Sequence, residues 1–209
     1  MEFLKRYVIF AVLSFSLFEV KAQTNATLQK AFQNSYTEES KKNYSEAIND
    51  IMPFYAEGNY EINLRIAWLY YLAKNYSASQ NYYTRAVNIR PNSVEAKFGL
   101  IKPLSLLSSW DRVTEQYNNI LKIDPQNTQA NYWAGVIVYN KKQYASAAKY
   151  FAKVVGLYPF DYDGNHMLGW SLLFSGRKAE AKGCFERALL IKPGDTSSTD
   201  GLNRSSNRA

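Results

Sequence analysis

The chain is short of the residues that most chemistry needs. Among 209 residues there is one cysteine and one histidine. A single cysteine, Cys184, excludes an intramolecular disulfide, so an apolar core has to hold the fold together. One cysteine and one histidine leave no zinc site built from those ligands. His166 has no nucleophile-elbow motif to serve, and neither a G-x-x-x-x-G-K-[ST] loop nor an H-E-x-x-H pair occurs. Glu38 and Glu39 are adjacent carboxylates, but nothing in the sequence supports them as an acid–base pair, and they read as a solvated helix edge. The expectation is a protein without catalytic residues, metal or cofactor. Cys184, within "GCFERALL", reads as a small filler beside core positions.

Long apolar runs are also scarce. The longest, Tyr7–Phe18, has 12 residues and is too short for a membrane-spanning helix. It follows a charged start, "MEFLKR", and precedes "VKA", which places small or aliphatic residues where a signal peptidase reads. Residues 1–22 therefore read as a cleaved secretory leader, with Gln23 as the mature N-terminus and a periplasmic or secreted destination.

What the chain has is apolar and aromatic surface. Apolar residues make up 46% and aromatic residues 15%, including 17 Tyr, 11 Phe and 4 Trp. The net charge is +7. Lys141, Lys142, Lys149 and Lys153 form its densest basic stretch. This reads as a solvated face, because it lacks the long basic stripe with interleaved aromatics that nucleic acid would require.

One short phrase recurs: "NIRPNS", "KIDPQN", "GLYPFD" and "LIKPGD". Their prolines, Pro91, Pro125, Pro159 and Pro193, stand 34 residues apart. A fixed period over a whole chain is the mark of a repeat array. Other positions keep the phase. Ser93, Asn127, Asp161 and Asp195 are good helix N-caps. Tyr83, Tyr117, Phe151 and Phe185 recur eight residues before each proline, and small residues recur at Ala67, Gly135 and Gly169. Within each period two helical apolar faces are divided by a short polar break such as "KKQ" (141–143). The proline ends the second helix, having no amide to donate.

On these residues the chain resembles the tetratricopeptide repeat family, whose unit is a 34-residue helix–turn–helix. The best match is 128–161, through Ala134, Gly135, Tyr144, Ala147, Phe151 and Pro159. The resemblance implies an all-α fold, a right-handed α-solenoid of about five units: 28–59, 60–93, 94–127, 128–161 and 162–195. A short cap at 196–203 would follow, then a disordered tail at 204–209. The first unit departs by being two residues short, with Pro53 in its second helix. The third carries Pro103 in its first helix.

The resemblance further implies that the first helix of each pair lines a concave groove. The residues expected there are Phe32, Tyr36, Leu64, Trp68, Tyr71, Phe98, Lys102, Tyr132, Tyr139, His166, Trp170 and Phe174. About half should be buried between neighbouring helices, with Trp68, Tyr71, Tyr132, Tyr139 and Trp170 staying partly exposed. Such a lining suits a protein or peptide segment of an envelope or secretion component. A sugar or envelope polymer is the alternative. The family's C-terminal-carboxylate clamp is not expected, since Phe98, Tyr132, Val136 and Trp170 stand in its places and Lys102 is the one cation among the groove residues. The implied role is an interaction scaffold with no nucleic-acid partner.

Overall fold

The computed structural model describes residues 25–206. The expected leader at 1–22 and the last three residues lie outside them. Among the described residues all regular structure is helical. In order, these are α1 (25–40), α2 (Tyr44–Ile51), α3 (Tyr60–Leu72), α4 (Tyr76–Ile89), α5 (Val94–Leu106), α6 (Trp110–Ile123), α7 (Thr128–Asn140), α8 (Tyr144–Leu157), α9 (Tyr162–Phe174), α10 (Lys178–Ile191) and α11 (Thr196–Ser206). The chain divides into two compact units, one up to Leu107 and one from Ser108.

Helices α3, α4, α5, α7, α9 and α11 have a local reason to start. The caps read from the sequence accept as expected: Ser93 from the Ala96 amide, Asn127 from Ala130, Asp161 from Gly164 and Asp195 from Ser198. Asn59 and Asn75 do the same for α3 and α4. Each satisfies an amide that the helix itself leaves open.

The turn inside each pair is equally regular. The Lys142 amide donates to Tyr139 and the Gln143 amide to Val138. Lys74 and Asn75 repeat this, as do Gly176 and Arg177. This is the Schellman closure, and it puts the residue after the helix at positive φ. Lys42, Lys74, Ser108 and Lys142 hold that conformation with a side chain, while Gly176 holds it without the steric penalty.

A second polar register was not anticipated. Asn63, Asn131 and Asn165 are completely buried and keep the 34-residue phase. Each Nδ2 donates to two carbonyls of the preceding loop: Glu57 and Asn59, Pro125 and Asn127, Pro159 and Asp161. Each of these three joints is thereby tied to the helix after it, while Lys97 stands at the register position in α5.

In the N-terminal unit α1, α2 and α3 share a core of Ala31, Ile51, Ile62 and Ile66. Tyr60, Ala86 and Ala96 join α3, α4 and α5. Pro53 lies in a 3-10 turn, Met52–Phe54, immediately after α2. The proline therefore ends the short second helix of the first repeat, where the sequence had placed it inside. In the C-terminal unit Ala147, Phe151, Leu168, Trp170, Cys184 and Phe185 belong to one cluster. Cys184 is a buried free thiol whose pKa burial pushes up. The capping helix expected to end at residue 203 continues to Ser206, so 204–206 are helix rather than tail.

Close packing rests on small residues facing rings. A Cβ on Gly169 would come within 2.8 Å of the Phe185 ring, and one on Gly201 within 2.3 Å. Gly135 faces Phe151 and Gly99 faces Tyr83 in the same way. Phe185 is fully buried, so its ring has nowhere to go. Gly183 meets nothing within 4 Å. Gly169→Ala should therefore cost about 1–3 kcal/mol by overpacking. Gly183→Ala should gain about 0.5–1 kcal/mol through helix propensity. Urea unfolding of the two variants checks this opposition of sign.

Candidate functional site

The first helices of successive pairs are α1, α3 and α5 in one unit and α7 and α9 in the other. Their outward residues are the candidate site.

In the N-terminal unit the face is an aromatic strip fixed by charge. Trp68 stacks on Tyr71 with ring centroids 5.6 Å apart, and both are half-buried. The Trp68 indole donates to Glu39 Oε1 at 2.8 Å. The other oxygen of Glu39 pairs with the Arg65 guanidinium, which is buried and donates also to Ser35 Oγ at 3.1 Å. Arg65 lies over the ring of Tyr36, 3.9 Å from its centroid, and Tyr36 is exposed. Phe32 is one helical turn earlier, with its ring 6.4 Å from that of Tyr36. Lys102 on α5 is exposed, its Nζ 5.8 Å from the Trp68 ring. Phe98 is half-buried one turn before it. Leu64 turns inward against the Tyr60–Ala86–Ala96 cluster.

Two expectations change here. Glu39 is not a solvated edge, because it ties α1 to α3. Glu38 beside it bonds locally to Lys41 and Asn43. Lys102 is also not the one cation on this face. Arg65 was missed, although it stands three residues before Trp68 and so on the same helical stripe. Its charge is consumed by Glu39 and Tyr36.

In the C-terminal unit Tyr139, Tyr144 and Phe174 form a cluster, with Tyr144 and Phe174 centroids 4.9 Å apart. Phe174 is exposed. Tyr132 is half-buried against Phe151 and Trp133. Trp170 overturns the expectation made for it, being only 9% exposed. The reason is α11, whose Ser197 Oγ receives the Trp170 indole N–H at 3.1 Å. The Arg204 guanidinium lies 5.4 Å from its ring, and Phe174 stacks on it. His166 is covered by the same helix through Ser198 Oγ at 2.9 Å. Burial lowers the His166 pKa, against the opposing pull of Asp195 and Asp163. The capping helix thus occupies the last repeat's outward face. The open aromatic surface of this face ends at Phe174.

Among the described residues no group of three His, Cys, Asp or Glu side chains is arranged to hold a metal, and no helix is long and apolar enough to cross a membrane.

Family models described as tetratricopeptide repeat match residues 107–162, and residues 60–93 and 162–195. The chain belongs to the tetratricopeptide repeat family. It is 30% identical over 111 residues to the RNA polymerase-associated protein CTR9 of Caenorhabditis elegans. That match takes in 53% of this chain and 10% of CTR9, so the chain spans about a tenth of that relative's length. Among solved structures it resembles a tetratricopeptide repeat protein from Parabacteroides merdae, with a TM-score of 0.71 at 14% identity, covering 86% of this chain and 72% of that one. It also resembles YrrB, described as a tetratricopeptide repeat protein with an unusual peptide-binding site. There the TM-score is 0.68 at 13% identity, covering 89% and 97%. MamA gives 0.67 at 16%, covering 80% and 93%. At these identities the likeness is one of fold. Tetratricopeptide repeats bind proteins and peptides, and the protein is accordingly an interaction module of that class.

The geometry of the two faces makes two outcomes testable. Glu39→Ala leaves Arg65 buried without its carboxylate and should cost about 3 kcal/mol. Arg65→Met in the same chain should recover most of that loss in urea unfolding. Separately, the Asp195 carboxyl, with an ordinary pKa of 3.8, is held at about 2, chiefly by the Ser198 amide. Its value is depressed in the folded state, so the stability it gives is complete above its ordinary pKa and is lost as pH falls toward about 2. Amide protection in α11, the observed rate set against the intrinsic rate at the same pH, should fall over that interval in the native chain. It should change less in Asp195→Asn, whose cap does not titrate.

Proposed function

We propose that the protein is an exported scaffold that holds a segment of a partner protein against the face made by α1, α3 and α5. The observation that carries this reading is the Trp68–Tyr71 stack with Lys102 beside it. Glu39 fixes Trp68 before any partner arrives, so little side-chain entropy remains to be lost on binding. Stacked, half-exposed rings offer large apolar area with polar tips, which is the composition of binding hot spots. Lys102 adds one exposed positive charge at the edge. The partner segment that fits is extended or helical and carries an aromatic or aliphatic anchor with an acidic residue nearby. YrrB, described as having a peptide-binding site on the same fold, supports a peptide as the occupant. The leader-like residues 1–22 support an envelope or secreted location.

The chain is purified from its native envelope fraction beside Trp68→Ala, Lys102→Glu and, on α8, Lys149→Glu. The first two should lose the co-purifying partner while Lys149→Glu keeps it. Lys102→Glu is decisive because the residue is exposed and its change leaves the fold intact. Retention of the partner by both face variants would overturn the assignment, and recovery of a glycan with no protein would replace the partner class. Mass spectrometry of the exported chain should give Gln23 as its first residue.

A further inference from the structure

The joint between α8 and α9 carries a second cleft, lined entirely by residues of the C-terminal unit. Its volume is about 410 Å³. One wall is aromatic, made by Tyr132 and Trp133 of α7 and by Tyr158 at the end of α8. Trp133 is 46% and Tyr158 57% exposed, so both rings are open to a ligand. The carboxylates of Asp161 and Asp163 share the lining. In a chain of net charge +7 this is a local reversal of sign. Among the described residues, no ion pair is formed by either carboxylate; Asp161 Oδ1 accepts from the Gly164 amide at 2.6 Å, and Asp163 is exposed. Burial raises the Tyr132 pKa, and the charges of Asp163 and Asp161 add to it, so their negative field reaches the aromatic wall.

The ring geometry selects the ligand. The Tyr132 and Trp133 rings stand at 85°, with centroids 5.3 Å apart. This edge-to-face pair is not the flat platform on which a sugar ring stacks. The exposed Trp133 and Tyr158 rings attract cations. The carboxylates in the same lining supply the counter-charge. The joint itself is firm: the Tyr158 amide donates to Val154 and the Asp161 amide to Tyr158.

We infer that this cleft binds a cationic side chain, the ammonium of a lysine or methyl-lysine, presented by a partner polypeptide. The cleft shares no residue with the Trp68 face, and the inference does not depend on what that face binds.

The test uses the full chain and three capped tripeptides, Gly-Lys-Gly, its trimethyl-lysine form and Gly-norleucine-Gly, together with cello-oligosaccharide. Nuclear magnetic resonance tracks the Trp133 indole N–H. Both cationic peptides should shift it saturably, with the norleucine peptide about fivefold weaker. Asp163→Asn, at an exposed position, should keep the native melting temperature and reduce lysine-peptide affinity by a similar factor. Equal binding of the norleucine peptide, no shift from either cationic peptide, unchanged affinity in Asp163→Asn, or a shift from the sugar alone would each overturn the inference.

Discussion

The structure depends on one packing constraint, an aromatic ring that fits only where a neighbouring helix has no side chain. Tyr83, Phe151 and Phe185 on second helices press against Gly99, Gly135, Gly169 and Gly201 on first helices and on the cap. Phe185 is held from both sides, sixteen residues before it and sixteen after. The same ring therefore joins the two helices of its own pair and fastens that pair to α11. Helices this short are marginal alone, so their stability has to come from such contacts. The contact recurs with the period at Phe151 and Phe185, each meeting a glycine sixteen residues before it, while Tyr117 has Ile101 at that offset.

Much of this was legible in the sequence because it is periodic. Proline, cap and ring recur at fixed offsets, and each has a local meaning that needs no tertiary knowledge. The Asn63, Asn131 and Asn165 register was equally periodic yet passed over, because an asparagine inside a helix reads as neutral surface. Its burial becomes evident only once the preceding loop is folded back toward it. The period could not carry the contacts made at the ends of the array. Glu39 looked like a polar edge because its partners, Arg65 and Trp68, lie about thirty residues away. Trp170 looked open because the cap expected at 196–203, "TSSTDGLN", is poor in apolar residues, and nothing in it marks which ring its serines reach.

These end effects shape the candidate surface. Without the capping helix, Trp170 would stand where Trp68 stands in the earlier unit and His166 where Leu64 stands. Ser197, Ser198 and Arg204 satisfy them instead, which removes two of the twelve candidate residues from the open face. At the other end Glu39 leaves Trp68 half-buried while fixing its ring. One tryptophan is closed by hydroxyls and a guanidinium, the other is held in place by a carboxylate. Equivalent positions in a repeat are thus not equivalent in availability. The same separation holds for charge. Arg65 is buried under Tyr36 and bound to Glu39, so it contributes order, and Lys102 is the cation left to meet a partner on that face.

The joint between α8 and α9 shows how a repeat acquires a feature outside its period. Tyr132 comes directly after the buried Asn131, and Tyr158 precedes Pro159, so both stand beside residues fixed by the architecture. The ring at 158 is not required by it: other joints place Arg90, Asp124 and Lys192 where Tyr158 stands. Those polar residues suit a position that faces water. Replacing one by a tyrosine in a lining shared with two carboxylates gives a surface that packing alone does not need. An exposed ring beside carboxylates that form no ion pair among the described residues is the pairing that a cationic side chain would complete.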